Sequence, residues 1–552
     1  MGWSTAYRYL QDALADADVG DEIWIAAGTY IPDEDCANPG GTGLWSASFS
    51  MIEDVAIYGG FEGTETLLSE RDPVAHVTIL SGELGAGPPG CGDGNCYMAN
   101  GSAGCENPGC CEAVCAFASL AYCCEVIWDM DCAGAAFFVC PTNDNAFRVV
   151  DAFDVGPTSL LDGLTITRGI STSTSVTGGG LGILDASPTV VRCIFKDNLS
   201  GNGGAVSVKA ESETPSEPLF VNCSFIENVA GCYAGGMLVW DNASVTVVNS
   251  VFSENSTYLN AYAGAGLTTY SFDSFATLIN CVFVGNEAAN NPDYGGGVHI
   301  RLGSAVLDNC ILWGNTPAQI SDFPGDSVVS YSDIEDGWPG TGNIDDDPLF
   351  FNIAMGDYHL TAGSPCIDKG NPNGNIIPPD TFDLDGDGST AEATPDLDLN
   401  NRIADGTENF GLIVDMGVYE FPACCPWDLE DSGGVGAADL LILLAGWGPN
   451  PDHRADFNND GMVGASDLLA LLANWGECPC GIPTSPPTLQ EELDDACLTM
   501  DDWNEFVAVM TDPNSSEADK DRYSCWMTHY IEDCNKCICI GASGCPNPDP
   551  FS

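Results

Sequence analysis

Five short segments constrain what this chain can fold into: FKDN (195–198), FIEN (225–228), FSEN (252–255), FVGN (283–286) and LWGN (312–315). Their closing residues, Asn198, Asn228, Asn255, Asn286 and Asn315, recur about every thirty residues, a period typical of solenoids. Each unit also has a glycine-rich strand start: GGGL (178–181), GGAV (203–206), GGML (235–238), GAGL (264–267) and GGGV (295–298). A unit this short cannot bury an apolar face alone, so neighbours must stack into a continuous core. Short alternating apolar runs without long helices therefore predict a mainly β chain wound as a parallel β-helix. Asparagines at one turn can hydrogen-bond along its axis, and glycines supply left-handed turns.

The segment from Trp3 to Asp18 reads as a helix with Tyr7, Leu10, Leu14 and Ala17 on one face. Ile23-Trp24-Ile25, Val55 to Tyr58 and Val77 to Leu80 read as short strands bounded by turn residues. Residues 1–90 are thus expected to form an N-terminal cap and the first rungs, and 141–422 the main β-helix. GGAV paired with FxxN resembles the repeat of bacterial polymorphic outer-membrane proteins, which implies a right-handed parallel β-helix. YHLTAGSPCIDKG (358–370) and VDMGVYEF (414–421) are similar to the last turns of such bacterial surface β-helices.

The sequence has 81 Asp and Glu against 14 Lys and Arg, a formal net charge of -67. Nucleic acid and anionic membrane surfaces would be repelled, so neither is an expected partner. No apolar run approaches the roughly 18–20 residues of a membrane-spanning helix, which excludes insertion by a helix. The 27 cysteines point to an oxidising compartment, and hence to an extracellular or cell-surface location. No signal peptide opens the chain, so the expectation is that one has been removed or truncated.

The cysteines cluster. Ten of them, from Cys91 to Cys140, occupy a 91–140 insert, read as a disulfide-stapled module in preference to a zinc site because paired knuckles and histidines are missing. A Cys-rich helical tail over 478–552, including Cys497, Cys525, Cys534, Cys537, Cys539 and Cys545, reads the same way. Cys193, Cys223, Cys281 and Cys310 share one rung position, with Ser250 in the intervening unit. Cys193–Cys223 and Cys281–Cys310 bridges are conceivable there, but parallel side-chain vectors favour buried free thiols.

Residues 456–467, DFNNDGMVGASD, place Asp456, Asn458 and Asp460 at positions 1, 3 and 5 of a loop, Gly461 at 6 and Asp467 at 12. A hard cation such as Ca²⁺ needs about 6–8 oxygens, which this spacing wraps around one point. An earlier copy, DLEDSGGVGAAD, sets Asp428, Glu430, Ser432, Gly433 and Asp439 in the same phase, and each loop enters an apolar helix ending in Trp-Gly. The pair, over 424–477, resembles a type I dockerin, a small α-helical module of paired EF-hand-like loops. That resemblance implies calcium-dependent folding and docking onto a cohesin-like protein. Positions 10 and 11, which help dockerins recognise cohesin, are Ala437-Ala438 and Ala465-Ser466 here, departing from the common Ser-Thr pair.

A third acidic stretch, FDLDGDGS (382–389), alternates Asp383, Asp385 and Asp387 before Gly388. Three carboxylates so close invite calcium, although Thr394 stands where a twelfth-position ligand would be.

Many parallel β-helices cleave acidic polysaccharides, by a lyase mechanism that needs a base beside carboxylate-bound calcium. The basic candidates in the repeats are Arg168, Arg192, Lys196, Lys209 and Arg301, with Arg192, Lys196 and Asp197 the nearest thing to a cluster. A hydrolase would need paired carboxylates, which so acidic a chain supplies by chance. His299 reads as a satisfied surface histidine more readily than as a catalyst. The preferred expectation is an extracellular calcium-binding scaffold for surface adhesion or carbohydrate binding, attached through the dockerin-like module. A dockerin-bearing polysaccharide lyase or glycoside hydrolase is the alternative.

Overall fold

A computed structural model describes residues 2–84, 145–170, 178–257, 264–288, 294–322, 325–361, 363–373, 376–386, 388–402, 413–421, 434–435, 437–449, 462–473 and 476–477, with the single positions 114, 123, 132 and 455. The chain divides into two compact units, 1–478 and 479–552, and every described residue belongs to the first. The expected Cys-rich tail lies outside the described residues, as does nearly all of the 91–140 insert. Within that insert Cys123 and Cys132 form a disulfide.

The repeats stack as expected. Three parallel sheets run side by side, of nine, nine and eight strands, with a short three-stranded sheet at one corner. One turn shows the order. Thr189–Val191 lies in the first sheet, Ile194–Lys196 in the second, Leu199–Asn202 in the short sheet and Val206–Lys209 in the third. Each pairs in register with the turns before and after, so Phe195 aligns with Ile166 and Phe225. At about 4.8 Å per strand, nine strands make a rod of roughly 38 Å.

The two corners beside the second sheet explain the repeat. The residue before each asparagine of FxxN is left-handed: Asp197, Glu227, Glu254, Gly285 and Gly314 have φ of 54–67°. That turn points the asparagine inward. Asn198 donates its side-chain amide to Asn228 Oδ1 at 3.1 Å, Asn228 to Asn255 at 3.0 Å, Asn255 to Asn286 at 2.9 Å and Asn286 to Asn315 at 2.8 Å. Each amide also donates to a main-chain carbonyl of the preceding turn, so this buried polar row is satisfied. Gln319 closes the row by accepting from the Asn315 side chain. Beneath it the rings of Phe195, Phe225, Phe252 and Phe283 stack at 5.2, 4.4 and 4.5 Å between centroids.

The four rung cysteines are buried free thiols. Cys223, Cys281 and Cys310 each face a carbonyl of the preceding turn at 3.5 Å, and Ser250 keeps the row by donating to Val248 O at 2.8 Å. Burial pushes the Cys193 thiol up to about 12, so these groups stay protonated and inert.

The start is capped by a helix shorter than its sequence suggests. Only Leu10–Asp16 is α-helical, because Tyr9 and Ala17 are extended on either side. Leu10 and Leu14 enter the core beside Ile25, Phe49 and Val55, while Tyr7 stays at the surface. This covers the first rungs, an edge that would otherwise offer unpaired backbone.

The third-sheet strands end at Ile320–Asp322 and the second-sheet strands at Asp333–Ile334. Among the described residues, the segment from Cys366 to Phe421 adds no further rungs. It runs back along the corner between the first and second sheets. There Asn222, Asn249, Asn280 and Asn309, all left-handed, hold it. Asn222 donates to Asp396 O, Asn249 to Pro395 O, and Asn309 accepts from Asn371 N. Met416 and Val418 pack on Val251, Val282 and Ile311. Of the motifs read as final turns, the start of the first lies in the strand Asp357–Leu360, paired antiparallel with Phe350–Asn352, and the rest belongs to this strap.

Within 434–477, helices Ala437–Ala445 and Ala465–Ala473 pack together. Gly434–Val435, before the first helix, pairs antiparallel with Gly476–Glu477, after the second. Gly448–Pro449, after the first helix, pairs with Met462–Val463, before the second. Each copy is closed by the other. No helix among the described residues is long and apolar enough to cross a membrane.

Candidate functional site

The basic residues expected to supply a catalytic base are engaged in holding the fold. Arg192 grips Asp162 through Nε at 3.0 Å and Nη2 at 2.8 Å, and donates from Nη1 to Leu384 O at 3.2 Å. Arg71 reaches the same buried carboxylate from the other side. Burial opposes the Arg192 charge, but Asp162 outweighs it and raises the pKa, so this guanidinium gives up no proton. Lys196 pairs with Glu227 at 2.9 Å and Arg168 with Glu83 at 2.8 Å. Burial raises the Asp197 carboxyl, whose place is the left-handed turn. Arg192, Lys196 and Asp197 are thus three separate structural contacts.

His299 is sealed. It is 2 % exposed, and neither ring nitrogen has a hydrogen-bond partner. Burial, reinforced by the Arg301 charge, pushes it down to about 4, so it is neutral at ordinary pH. The Tyr294 ring packs edge-on at 5.5 Å.

The acidic stretch at 382–389 forms a cluster different from its sequence pattern. Asp383 accepts from Gly388 N at 2.9 Å, and Asp387 lies outside the described residues. Asp385 instead meets Asp380 and Glu392, with one carboxylate oxygen of each within 4.8 Å of the others. Asp380 is buried and accepts from Leu384 N at 2.7 Å, so the cluster is tied through Leu384 to Arg192. Burial raises the Asp380 carboxyl, and Asp385 and Glu392 add to this. Glu392 accepts from Ser389 through one oxygen, while Oε1 is buried without a partner. Three carboxylates this close, one of them with an orphaned oxygen, fit a calcium ion, which takes oxygen ligands and would reverse the repulsion.

Of the paired loops, Asp428, Glu430, Ser432, Asp456, Asn458 and Asp460 lie outside the described residues, as does the side chain of Asp439. Asp467 is buried and accepts from Gly464 N at 2.7 Å, capping the second helix.

The third sheet carries a feature that single motifs conceal. Phe153, Leu184, Lys209 and Trp240 align across adjacent strands. Tyr270 and Arg301 continue the line through main-chain bonds to Val239 O and Thr269 O. Lys209 Nζ lies 4.7 Å from the Trp240 ring centre, Arg301 Cζ 5.4 Å from Tyr270, and Arg148 Cζ 5.6 Å from Phe153. Tyr233 joins Tyr270 through its hydroxyl at 3.1 Å. Lys209 also pairs with Glu211 at 2.7 Å. The result is a partly exposed ridge of aromatic and charged groups spanning six rungs, about 24 Å. Three of the few basic residues stand on it, and its members lie three residues beyond Leu181, Val206, Met237, Leu267 and Val298, which the strand register aligns.

The family profile described as "Right handed beta helix region" matches residues 156–335, in agreement with the three parallel sheets. Among solved structures, one similar chain is the crystal structure of pectate lyase Pel9A. It is 11 % identical, with a TM-score of 0.32, covering 75 % of this chain and 90 % of that one. No characterised protein matches the sequence. The parallel sheets and the profile match together make residues 156–335 a right-handed parallel β-helix region. An overlap this distant with a lyase assigns no chemistry.

Proposed function

We propose that this chain is an extracellular calcium-binding scaffold whose β-helix holds carbohydrate and whose 424–477 module docks it to a cohesin-like partner. The ridge from Phe153 to Arg301 carries this reading. Aromatic rings suit the apolar faces of sugars, and the carboxylates and cations between them suit hydroxyls. The spacing between rungs is close to the repeat of an extended glycan, so one chain lying along the axis would meet several rings. The charge of -67 disfavours polyanions, which makes an uncharged polysaccharide the preferred ligand. The Cys123–Cys132 disulfide supports an oxidising location. Calcium would be held by the two 12-residue loops and by Asp380, Asp385 and Glu392.

The test is affinity electrophoresis of the full chain, with calcium, in gels containing neutral or acidic polysaccharides, with new chain ends measured in parallel. Retardation by a neutral polysaccharide, lost in Trp240→Ala/Tyr270→Ala, supports the scaffold. New chain ends formed by the parent chain would replace it with the lyase or hydrolase reading.

A further inference from the structure

The hairpin that follows the last rungs is tied to the strap through one exposed ring. Its strands, Phe350–Asn352 and Asp357–Leu360, pair with each other and with no other strand among the described residues. Tyr358 and Leu360 turn inward and share an apolar cluster with Met416 and Val418 of the strap. His359, between them, turns outward, with its side chain 42 % exposed.

The imidazole lies between two carboxylates. Nδ1 is 2.5 Å from Asp357 Oδ1, and Nε2 is 2.7 Å from Asp398 Oδ2 on the strap. The Tyr419 ring, also on the strap, stacks on it at 3.7 Å between centroids and 19° between planes, which favours a cationic ring. Asp398 is held in place. Asp396 accepts from Asp398 N at 2.9 Å and from Asn400 N at 2.8 Å, and Leu397 N donates to Val418 O at 3.0 Å. On the hairpin side, Asp357 Oδ1 also accepts from His359 N at 3.1 Å.

A carboxylate only accepts, so both ring nitrogens bond here only when both carry a proton and the ring is an imidazolium. A neutral ring has one N–H. Asp357 sits on the same strand and stays beside Nδ1 wherever the hairpin goes, so that proton is the one retained. Nε2 then turns a lone pair toward Asp398 Oδ2, and the bond across to the strap becomes a repulsion. We infer that His359 is a pH-released latch: its imidazolium fastens the hairpin to the strap, and loss of the Nε2 proton frees the hairpin from Asp398.

The sense of the switch follows from the groups around the ring. Burial opposes the charge on His359, but its bonds to Asp398 and Asp357 raise the pKa above the ordinary 6.5. The latch is therefore closed at and below pH 6.5 and opens as pH rises through the folded value. The other titratable groups at this contact are Tyr419, which burial and the nearby carboxylates keep neutral, and Asp396 and Tyr358 beside it.

The experiment is hydrogen exchange read by mass spectrometry on the full chain between pH 5.5 and 8.5, corrected for intrinsic exchange. The His359 ring is titrated in parallel by NMR of histidine-labelled protein. We expect the peptide covering 350–360 to lose protection about 2- to 5-fold on the alkaline side, the scale of a half-exposed ion pair. Its midpoint should follow the His359 titration, while the rod strand Val282–Val284 stays unchanged. His359→Gln should hold the hairpin at its alkaline protection at every pH. Asp398→Asn should do the same and bring the His359 titration down toward 6.5. Asp415, in the same strap, is raised by burial to about 7, so these two variants separate its titration from the latch. A protection change that persists in both variants, no change in the parent chain, or a His359 that titrates at or below 6.5 would overturn the inference.

Discussion

The side-chain amide of Asn280 donates to the main-chain oxygens of both Asp415, at 2.9 Å, and Gly417, at 3.1 Å, joining the rod to its strap across more than a hundred residues. Asn280 itself is left-handed, with φ of 52°, a conformation asparagine tolerates better than most residues. Asn280→Ala should therefore act twice, by removing both bonds to the strap together with the acceptor of the Asn309 amide, and by straining the turn. The expected loss is about 2–4 kcal/mol in a denaturant melt. Limited proteolysis should then cut first within 366–421, while an equal loss with no change in cleavage pattern would refute the strap's separate role.

Arg402 gives the strap a buried charge. It is fully buried, with Nε 3.9 Å from Glu420 Oε2 and Nη2 donating to Gly417 O, while Nη1 has no partner. Removing one member of a buried pair leaves the other charge uncompensated, at about 3–5 kcal/mol. Arg402→Met should show that loss, and adding Glu420→Gln should recover part of it. A double-mutant cycle with strictly additive effects would mean that the two groups do not interact.

These contacts show where sequence reading succeeds and where it stops. The Asn198–Asn315 row was legible because its partners sit at the same position of neighbouring repeats. Asn222, Asn249, Asn280 and Asn309 repeat just as regularly, directly before the Cys or Ser row. Their partners, Asp396, Pro395, Asp415 and Asn371, belong to no repeat, so spacing could not reveal them. At the acidic stretch, alternation suggested Asp383, Asp385 and Asp387 as one set. Left-handed turns at Asp383 and Gly386 instead rotate Asp383 toward Gly388 and bring in Asp380 and Glu392, which lie outside the alternating run. The ridge was hidden for another reason: Lys209, Trp240, Tyr270 and Arg301 differ in type, and only register aligns them.

Two histidines should titrate in opposite senses. His299 binds its proton less readily folded, at about 4, than unfolded, near 6.5. Its contribution to stability is present above pH 6.5 and is lost as pH falls toward 4, by about 3 kcal/mol in all. His359 is opposed by burial, but its bonds to Asp398 and Asp357 raise it overall, so its contribution is present below pH 6.5 and fades as pH rises through the folded value. Asp415 and Asp333, raised by burial to about 7 and about 6, also lose stability as pH rises. Subtracting the pH profile of His299→Leu from that of the parent chain isolates the first effect. The difference should grow in favour of the variant between pH 6.5 and 4, and a flat difference would contradict the buried neutral imidazole.

Calcium should act at two separable places. At Asp380, Asp385 and Glu392 the metal would relieve repulsion and satisfy the orphaned Glu392 oxygen, fastening the strap to Arg192 through Leu384. At calcium a hundredfold above its dissociation constant, the bound state gains about 2.7 kcal/mol. Glu392→Gln should abolish the calcium-induced rise in the melting of the β-helix without altering the metal-free midpoint greatly. In the paired loops, EDTA should unfold 424–477 and leave the β-helix intact, because each copy's strand is completed by the other and neither half can persist alone. Asp467→Ala should weaken that module even without metal, since Gly464 N then loses its acceptor. Calorimetry with and without calcium on the parent chain, Glu392→Gln and Asp467→Ala would resolve the two transitions. If neither variant changes the response to calcium, the metal binds at some other place or does not bind at all.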